Sequence, residues 1–417
     1  MSKATGHPNE QKSERRTRLV AYVGTYGNGR PIEGGGITAF DVSWDGRRLT
    51  SISSTDVPKL AGYLVYAPST ATLYSVDERK NDGRGPVEPA ASVHAFRVNQ
   101  EDGRLSWLNS QPAPGPRPTF LAVDETKGLL VSANHGDFDH VEHVRKLTDG
   151  RWNIEYIYDD STVIAYELTP DGLIRGICDV AVLMGRGKDP NNSPQAGGHG
   201  QASPHAHCAV IDPSGHYVLV CDKATDQIHV FFLSKVLGIA STFQLPEETG
   251  PRHIAFDPVS GRAFITCEFS SELASFDFNT ASGELHLLHK QSTLDPAYKG
   301  PNEPAEVRVH PSGRFVYVNN RGEDSVAWFR IEEGGQFSRC GHVSISKSIH
   351  PGVAARSFAI DPSGTFMLVA DRPANLMRSY AIDPEDGSLH ALSESSIQDP
   401  AFIAFAELPG KGLESGS

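Results

Sequence analysis

The 417-residue chain carries a formal charge of −13, which argues against a nucleic-acid-binding surface, because such a surface needs Lys and Arg in excess. It has no apolar run of 18 residues, so no membrane-spanning helix is expected. Its 40 Gly and 28 Pro fall in short clusters between apolar runs, the pattern of many short strands joined by turns.

Residues 1–18 are polar and charged and lack the apolar segment of a secretory signal. They read as a disordered extension, and a cytoplasmic location is the default expectation. Strand-like patterns begin at Leu19 with Leu-Val-Ala-Tyr-Val-Gly-Thr-Tyr. A second unit starts at Gly62, and a third at Pro118 with Pro-Thr-Phe-Leu-Ala-Val-Asp. The fourth and fifth begin at Pro204 and Pro251. The sixth runs from Ala305 through Asn320 and Arg321, and the seventh from Arg356 through Asp371. One more strand, Phe402-Ile-Ala-Phe-Ala-Glu-Leu, follows the seventh unit, and 409–417 read as a flexible tail.

The turn residues Asp124, Asp212, Asp257, His310 and Asp361 are spaced by 88, 45, 53 and 51 residues. A period near ~50 with three or four strands per unit predicts an all-β, seven-bladed β-propeller of antiparallel blades around a central channel. The long spacing marks an insertion within about 136–201 of the third unit, expected to be loop over one face. The final strand should pair with the N-terminal strands and close the ring, removing two exposed sheet edges. The propeller is thus expected to span 19–408.

Equivalent positions in a propeller form rings around the channel. Five residues before the turn marker stand Thr119, His207, Arg252, Ala305 and Arg356. Seven residues after the turn glycine stand His135, Asp222, Glu268, Asn320 and Asp371, with Glu78 from the second unit. One end of the channel should therefore carry cations and imidazoles (His207, Arg252, Arg356, and Arg321 beside Asn320) next to an acidic ring. Arginines around Glu268 could hold an anionic ligand bidentately, and the carboxylate could accept or relay a proton. Asp222 and Asp371 are read instead as structural groups.

Other motifs carry less. His135, Asp137, Asp139, His140 and His143 could ligate a metal, but the run reads more simply as a solvated loop, so no metal is expected. His199, His205 and His207 also cluster, and strand alternation puts His205 and His207 on one face. The five cysteines have no C-x-x-C spacing, and three of them sit in apolar strand patterns as small core residues. A G-x-S-x-G elbow and a phosphate-binding P-loop are both missing.

Ser203-Pro-His-Ala-His, Gly250-Pro-Arg-His-Ile-Ala-Phe, Glu268, the run from Ala305 to Arg321, and Phe358-Ala-Ile-Asp-Pro-Ser-Gly together resemble the seven-bladed propeller lactonase family. That family includes propeller-type 6-phosphogluconolactonases and fungal carboxy-muconate cyclases. The resemblance runs from Leu19 to Leu408 and implies a small anionic lactone as substrate, without metal or organic cofactor. It places the family's histidine on His205 or His207, its arginines on Arg252 and Arg321, and its catalytic acid on Glu268; the ring alignment favours His207. Substrate contacts are expected from His205, His135, Asn320, Arg356 and Glu306. The arginines would neutralise the substrate anion and the developing oxyanion. Glu268 or His207 would activate water, and the other would protonate the leaving alkoxide.

The expected reaction is hydrolysis of 6-phosphogluconolactone to 6-phosphogluconate by a monomer or weak homo-oligomer. A muconate-type cycloisomerase and a non-enzymatic binding propeller are the alternatives. Glu268→Gln is expected to abolish hydrolysis while leaving the thermal transition nearly unchanged. One departure stands out: Asp222-Lys223-Ala224-Thr225-Asp226 occupies the place where the family has Asp-Leu-Gly-x-Asp.

Overall fold

The computed structural model describes residues 17–28, 33–80, 91–138, 140–188, 200–349 and 352–410. They form seven four-stranded antiparallel sheets and one separate two-stranded hairpin, with no α-helix among the described residues. The seven sheets are the seven blades expected from the turn spacing. In the fourth blade the strands run from the channel outward as Ala206–Ile211, Tyr217–Asp222, Gln227–Phe232 and Ile239–Gln244. Five other blades repeat this order. In the remaining one the C-terminal strand Pro400–Pro409 is innermost and pairs with Thr17–Asn28, with Val20 opposite Ala406 and Val23 opposite Ile403. That pairing closes the ring as expected.

The burial gradient across a blade follows from its neighbours. Second strands such as Tyr217–Asp222 and Phe366–Asp371 are buried at every residue, because adjacent blades cover both of their faces. A strand covered on both faces is a continuous apolar run and does not alternate. Outer strands such as Ile239–Gln244 have one face in water and alternate. Cys208, Cys221 and Cys267 lie in this core, and all five thiols are free.

The repeated Asp-Pro-Ser-Gly turn is a side-chain device. Asp212 accepts from the Tyr217 amide at 2.7 Å through Oδ1 and from the Ser214 amide at 2.8 Å through Oδ2. Asp361 does the same for Phe366 and Ser363. Gly215 and Gly364 take φ of 69° and 74°, a region that costs residues with a Cβ. In the sixth blade His310 replaces the Asp. Its Nδ1 accepts from the Ser312 amide at 3.1 Å, which leaves Nε2 to donate to the Gly364 carbonyl of the next blade at 2.8 Å.

The inner strands share a second irregularity. Their pairing with the second strand slips at Pro118/Phe120, Ala206/Cys208, Pro251/Ile254 and Pro304/Val307. A bulge inserts an extra residue and re-aims side chains, and here it recurs beside the channel at Thr119, His207, Arg252–His253 and Ala305–Glu306.

The insertion differs from expectation in part. Val163-Ile-Ala-Tyr-Glu-Leu reads in the sequence as a strand of the third unit, and Thr162–Leu168 with Ile174–Val182 do belong to that blade, so the extra chain lies on either side of them. The first part is not loop but an exposed hairpin, His140–Lys146 paired with Trp152–Tyr158. Its Asp, Gly, His and Asn content concealed seven residues of β-pairing. In the second part, 189–199 fall outside the described residues, and His199 with them. The first strand starts at Thr17, two residues before the expected boundary. The remainder of the N-terminal extension and 411–417 of the tail also fall outside the described residues. No helix among the described residues is long and apolar enough to cross a membrane.

Candidate active site

In four blades a residue at or next to the end of the second strand is opposite the start of the inner strand: Asn134 faces Pro118, Asp222 faces Ala206, Cys267 faces Pro251, and Asn320 faces Pro304. Polar residues here tie the strand end to neighbouring backbone. Asp222 accepts from the His205 amide at 2.7 Å, Asn134 donates to the Gly115 carbonyl at 2.8 Å, and Asp371 accepts from the Ser346 amide at 3.2 Å. The structural reading of Asp222 and Asp371 thus agrees with the geometry.

The channel ring is built one residue later, from Tyr26, Glu78, His135, Lys223, Glu268, Arg321 and Arg372, one per blade. The sequence alignment mixed the two positions, and that slip has two consequences. Asn320 belongs to the structural layer: its amide is used by Thr293, Asn302, Glu323 and Ser325. The expectation that Asn320 binds substrate is therefore corrected. Lys223, which the slipped alignment passed over, belongs to the channel.

Neighbours around this ring touch. Tyr26 donates to Glu78 at 2.6 Å, and the Arg372 guanidinium lies 4.6 Å from the Tyr26 ring centroid. Glu268 is the focus. Its Oε1 is 2.9 Å from Lys223 Nζ, and its Oε2 is 2.7 Å from Arg252 Nε and 2.9 Å from an Arg321 terminal nitrogen. Glu268 is 1% exposed, Lys223 and Arg252 are 3% exposed, and Arg321 is 8% exposed. Burial alone would raise the Glu268 carboxyl, but Lys223, Arg321 and Arg252 outweigh it and hold the group far below the usual carboxylate range. Such a group is a poor proton acceptor near neutrality. Glu268 therefore acts as the anchor of three cations, and its expected role as general base is corrected.

The contacts from Arg252 Nε and the Arg321 nitrogen to Glu268 are short but not aligned as hydrogen bonds. Those N–H groups, Arg252 NH1 and Arg356 Nε all lack a hydrogen-bond partner among the described residues. Buried donors left this way are exceptional in a folded chain and mark places where a ligand's acceptors fit. Burial, with Arg321 beside it, lowers Arg252 to about 10, which leaves it charged.

Four imidazoles stand against this cationic wall. His135 stacks on His205 with ring centroids 4.3 Å apart, and His207 meets His135 edge-on at 5.5 Å and His253 at 5.1 Å. The sequence reading missed His253. Strand alternation would point it away from Arg252, but the bulge turns both residues to the channel, and the equivalent bulge of the sixth blade aims Glu306. Glu306 Oε1 is 3.3 Å from His253 Nδ1 and 3.5 Å from Arg308 Nε. Among the described residues His253 Nε2 lacks a hydrogen-bond partner, as does His207 Nδ1. A small cavity with about 30 Å³ of water-sized space is lined by His207, Arg252, His253, Arg356, Thr119 and Tyr26, among others.

His205 forms part of the roof. Its Nδ1 lies 2.8 Å from the His135 carbonyl, and Phe138 packs edge-on against it. Lys223 Nζ sits 5.6 Å and 5.8 Å from the Phe138 and Phe269 ring centroids. The expected site residues Glu268, Arg252, Arg321, His207, His205, His135, Arg356 and Glu306 thus gather at one end of the channel. Asp139 lies outside the described residues, and the rest of the metal-ligand run does not gather. His135 is in the stack, Asp137 pairs with Arg117 at 3.2 Å, and His140 and His143 lie out on the hairpin.

Burial, then Lys223, lowers His205 to about 4, and burial, then Arg252, lowers His253 to about 4; both are normally 6.5. Burial also lowers His135 and His207. Between pH 6.5 and 4 the unfolded chain therefore binds more protons than the native one, and stability falls as pH falls through that window. By pH 5 the loss should be on the order of 2 kcal/mol for each of His205 and His253. The anchored Glu268 adds its own loss only below 4.5, its ordinary value. The denaturant midpoint should accordingly be clearly lower at pH 5 than at pH 7. An unchanged midpoint would mean that the rings take up protons without leaving the native state.

A model of the family described as "Lactonase, 7-bladed beta-propeller" matches residues 20–405. The 6-phosphogluconolactonase of Bacillus subtilis (strain 168) is 26% identical over 398 residues, covering 93% of this chain and 99% of that protein. That of Formosa agariphila is 25% identical over 388 residues, covering 90% and 96%. Among solved structures, a putative 6-phosphogluconolactonase from Bacteroides fragilis NCTC 9343 superposes with a TM-score of 0.76 at 23% identity, over 96% of this chain and 100% of that one. The periplasmic gluconolactonase of Pseudomonas aeruginosa gives 0.74 at 23%, over 94% and 99%. At these identities the two structures establish a common fold.

Proposed function

The chain belongs to the seven-bladed β-propeller lactonase family and is a lactone-hydrolysing enzyme, and from that premise we propose that it opens a small anionic lactone, 6-phosphogluconolactone first, in the central channel. One observation carries the reading: Lys223, Arg252 and Arg321 converge on Glu268, with Glu303 also 3.3 Å from Arg321, Arg356 lines the adjoining cavity, and N–H groups without a hydrogen-bond partner among the described residues stand beside two histidines. Cations outnumber the carboxylate they share, so a phosphate or carboxylate on the substrate would find charge complement and aligned donors together.

His253 is the proton acceptor in this proposal. An effective base has one ring nitrogen toward the substrate and a third group on the other, and Glu306 supplies that group at Nδ1. His207 has no carboxylate partner among the described residues and is assigned to the substrate contact beside it. Nε2 of His253 takes a proton from water as the water oxygen bonds to the lactone carbonyl carbon. The oxyanion so formed is met by the Arg252 and Arg321 guanidinium groups. Collapse breaks the ring C–O bond, and the imidazolium returns the proton to the leaving alkoxide, giving the open hydroxy acid. Burial, then Arg252, depresses His253, and the substrate's own negative charge offsets the Arg252 part, so binding makes the imidazole a better base. A cavity with about 30 Å³ of water-sized space is too small for a sugar lactone. The Phe138 and Phe269 rings over Lys223 are the side chains we expect to give way. His205 and His135 would then border the bound ring.

The proposal also assigns the protein to a reducing compartment, the cytoplasm, which five unbridged thiols suit. The test is acid release across a panel of lactones. The phosphorylated gluconolactone should be hydrolysed fastest, and a carboxylated muconolactone should be opened by net addition of water. Interconversion of that lactone with its diacid, without water uptake, would instead make the enzyme a cycloisomerase.

A further inference from the structure

The hairpin formed by His140–Lys146 and Trp152–Tyr158 belongs to no blade, and the residues of its first strand are all exposed. Its register sets Glu142 opposite Tyr156, Val144 opposite Ile154, and Lys146 opposite Trp152, all on one face. Val144 is 65% exposed, Trp152 69%, Tyr156 54% and Ile154 50%. Lys146 Nζ stands 5.7 Å from the Trp152 ring centroid and His140 packs on Tyr156 at 5.1 Å, so the face is ordered by its own side chains. The reverse face carries the Arg145–Glu155 ion pair at 3.1 Å, with His143 and Asn153, beside the exposed pair Val141 and Ile157. A two-stranded hairpin is marginal in water by itself, and a contiguous apolar patch on a soluble protein marks a contact site.

The order of charges along the face identifies what covers it. Glu142 lies toward the body of the protein, Lys146 toward the tip of the hairpin, and the apolar residues lie between them. We propose that this face docks antiparallel on the same face of a second copy of the chain. A two-fold axis through the Val144–Ile154 pair brings Glu142 against Lys146 of the second copy, and Lys146 against its Glu142. The same rotation lays Trp152 over Tyr156 and stacks Val144 and Ile154 at the centre, as an isologous contact requires. Parallel stacking, with the two-fold axis along the strands, would set Glu142 on Tyr156 and Lys146 on Trp152 of the second copy and so form neither ion pair. Seven residues of two strands make a face about 23 Å long. The contact is therefore well under the ~1,200 Å² of a stable interface, and the dimer is a weak, reversible one.

Sedimentation velocity of the full chain, from micromolar to near-millimolar concentration, tests this independently of the reaction assigned above. The wild type should shift from monomer to dimer as concentration rises. Val144→Asp should remain monomeric with an unchanged thermal transition. Glu142→Lys should also remain monomeric, and adding Lys146→Glu to it should restore the concentration-dependent shift. A wild type monomeric at every concentration, a Val144→Asp that still dimerises, or a double exchange that fails to restore the shift would each overturn the proposal.

Discussion

Glu268→Gln should cost the protein on the order of 3–5 kcal/mol of stability as well as its activity, because it leaves buried cations without their shared counter-charge. The sequence alone suggests a nearly unchanged thermal transition, as for a catalytic group standing free in a pocket. The geometry argues otherwise: Lys223, Arg252 and Arg321 all reach Glu268 within 3 Å, and none of the three is more than 8% exposed. An amide keeps the shape and removes the charge that offsets their desolvation. The denaturant midpoint should drop, and adding Lys223→Met to Glu268→Gln should recover part of the loss by removing one buried cation. A Glu268→Gln protein as stable as the wild type would mean that the three cations are solvated rather than clamped.

His253→Gln should lower kcat by about 10²–10⁴-fold, the usual contribution of a positioned base, with KM little changed. In the proposed site the arginines and Lys223 hold the substrate's charge, so binding should survive the change. Glu306→Gln should act in the same direction, since it leaves the imidazolium formed during water attack without its carboxylate. His207→Gln should act mainly on KM. Full kcat in His253→Gln combined with a collapse in His207→Gln would move the base to the neighbouring ring.

Much of this was legible in the sequence because one local device repeats. The Asp-Pro-Ser-Gly turn uses its Asp to hold the next strand's amides, so its spacing reports blade count directly, and even His310 keeps the turn by substituting a ring nitrogen. Glu268, Arg252 and Arg321 were legible for the same reason. Lys223 was not, because counting a fixed seven residues from the turn glycine lands on the residue just before the channel in some blades and on the channel residue in others. Asp222 and Asn320 are the former, Glu268 and His135 the latter. Yet Lys223 stood in view, at the place where the chain departs from the family's Asp-Leu-Gly-x-Asp. His253 was hidden by a different cause. Period-two alternation sends the residue after Arg252 to the opposite face, and only the bulge between Pro251 and Ile254 brings it round. The hairpin read as loop because its alternation has no dry face, and both strands carry charges among the apolar residues.

The central claim is that the cations of this channel select a lactone by its negative charge. The most direct measurement is kcat/KM for 6-phosphogluconolactone and for unphosphorylated gluconolactone, in the wild type and in Arg252→Ala. The account predicts a strong wild-type preference for the phosphorylated lactone that collapses in Arg252→Ala. Equal rates on the two lactones, or a preference that survives the loss of Arg252, would contradict it.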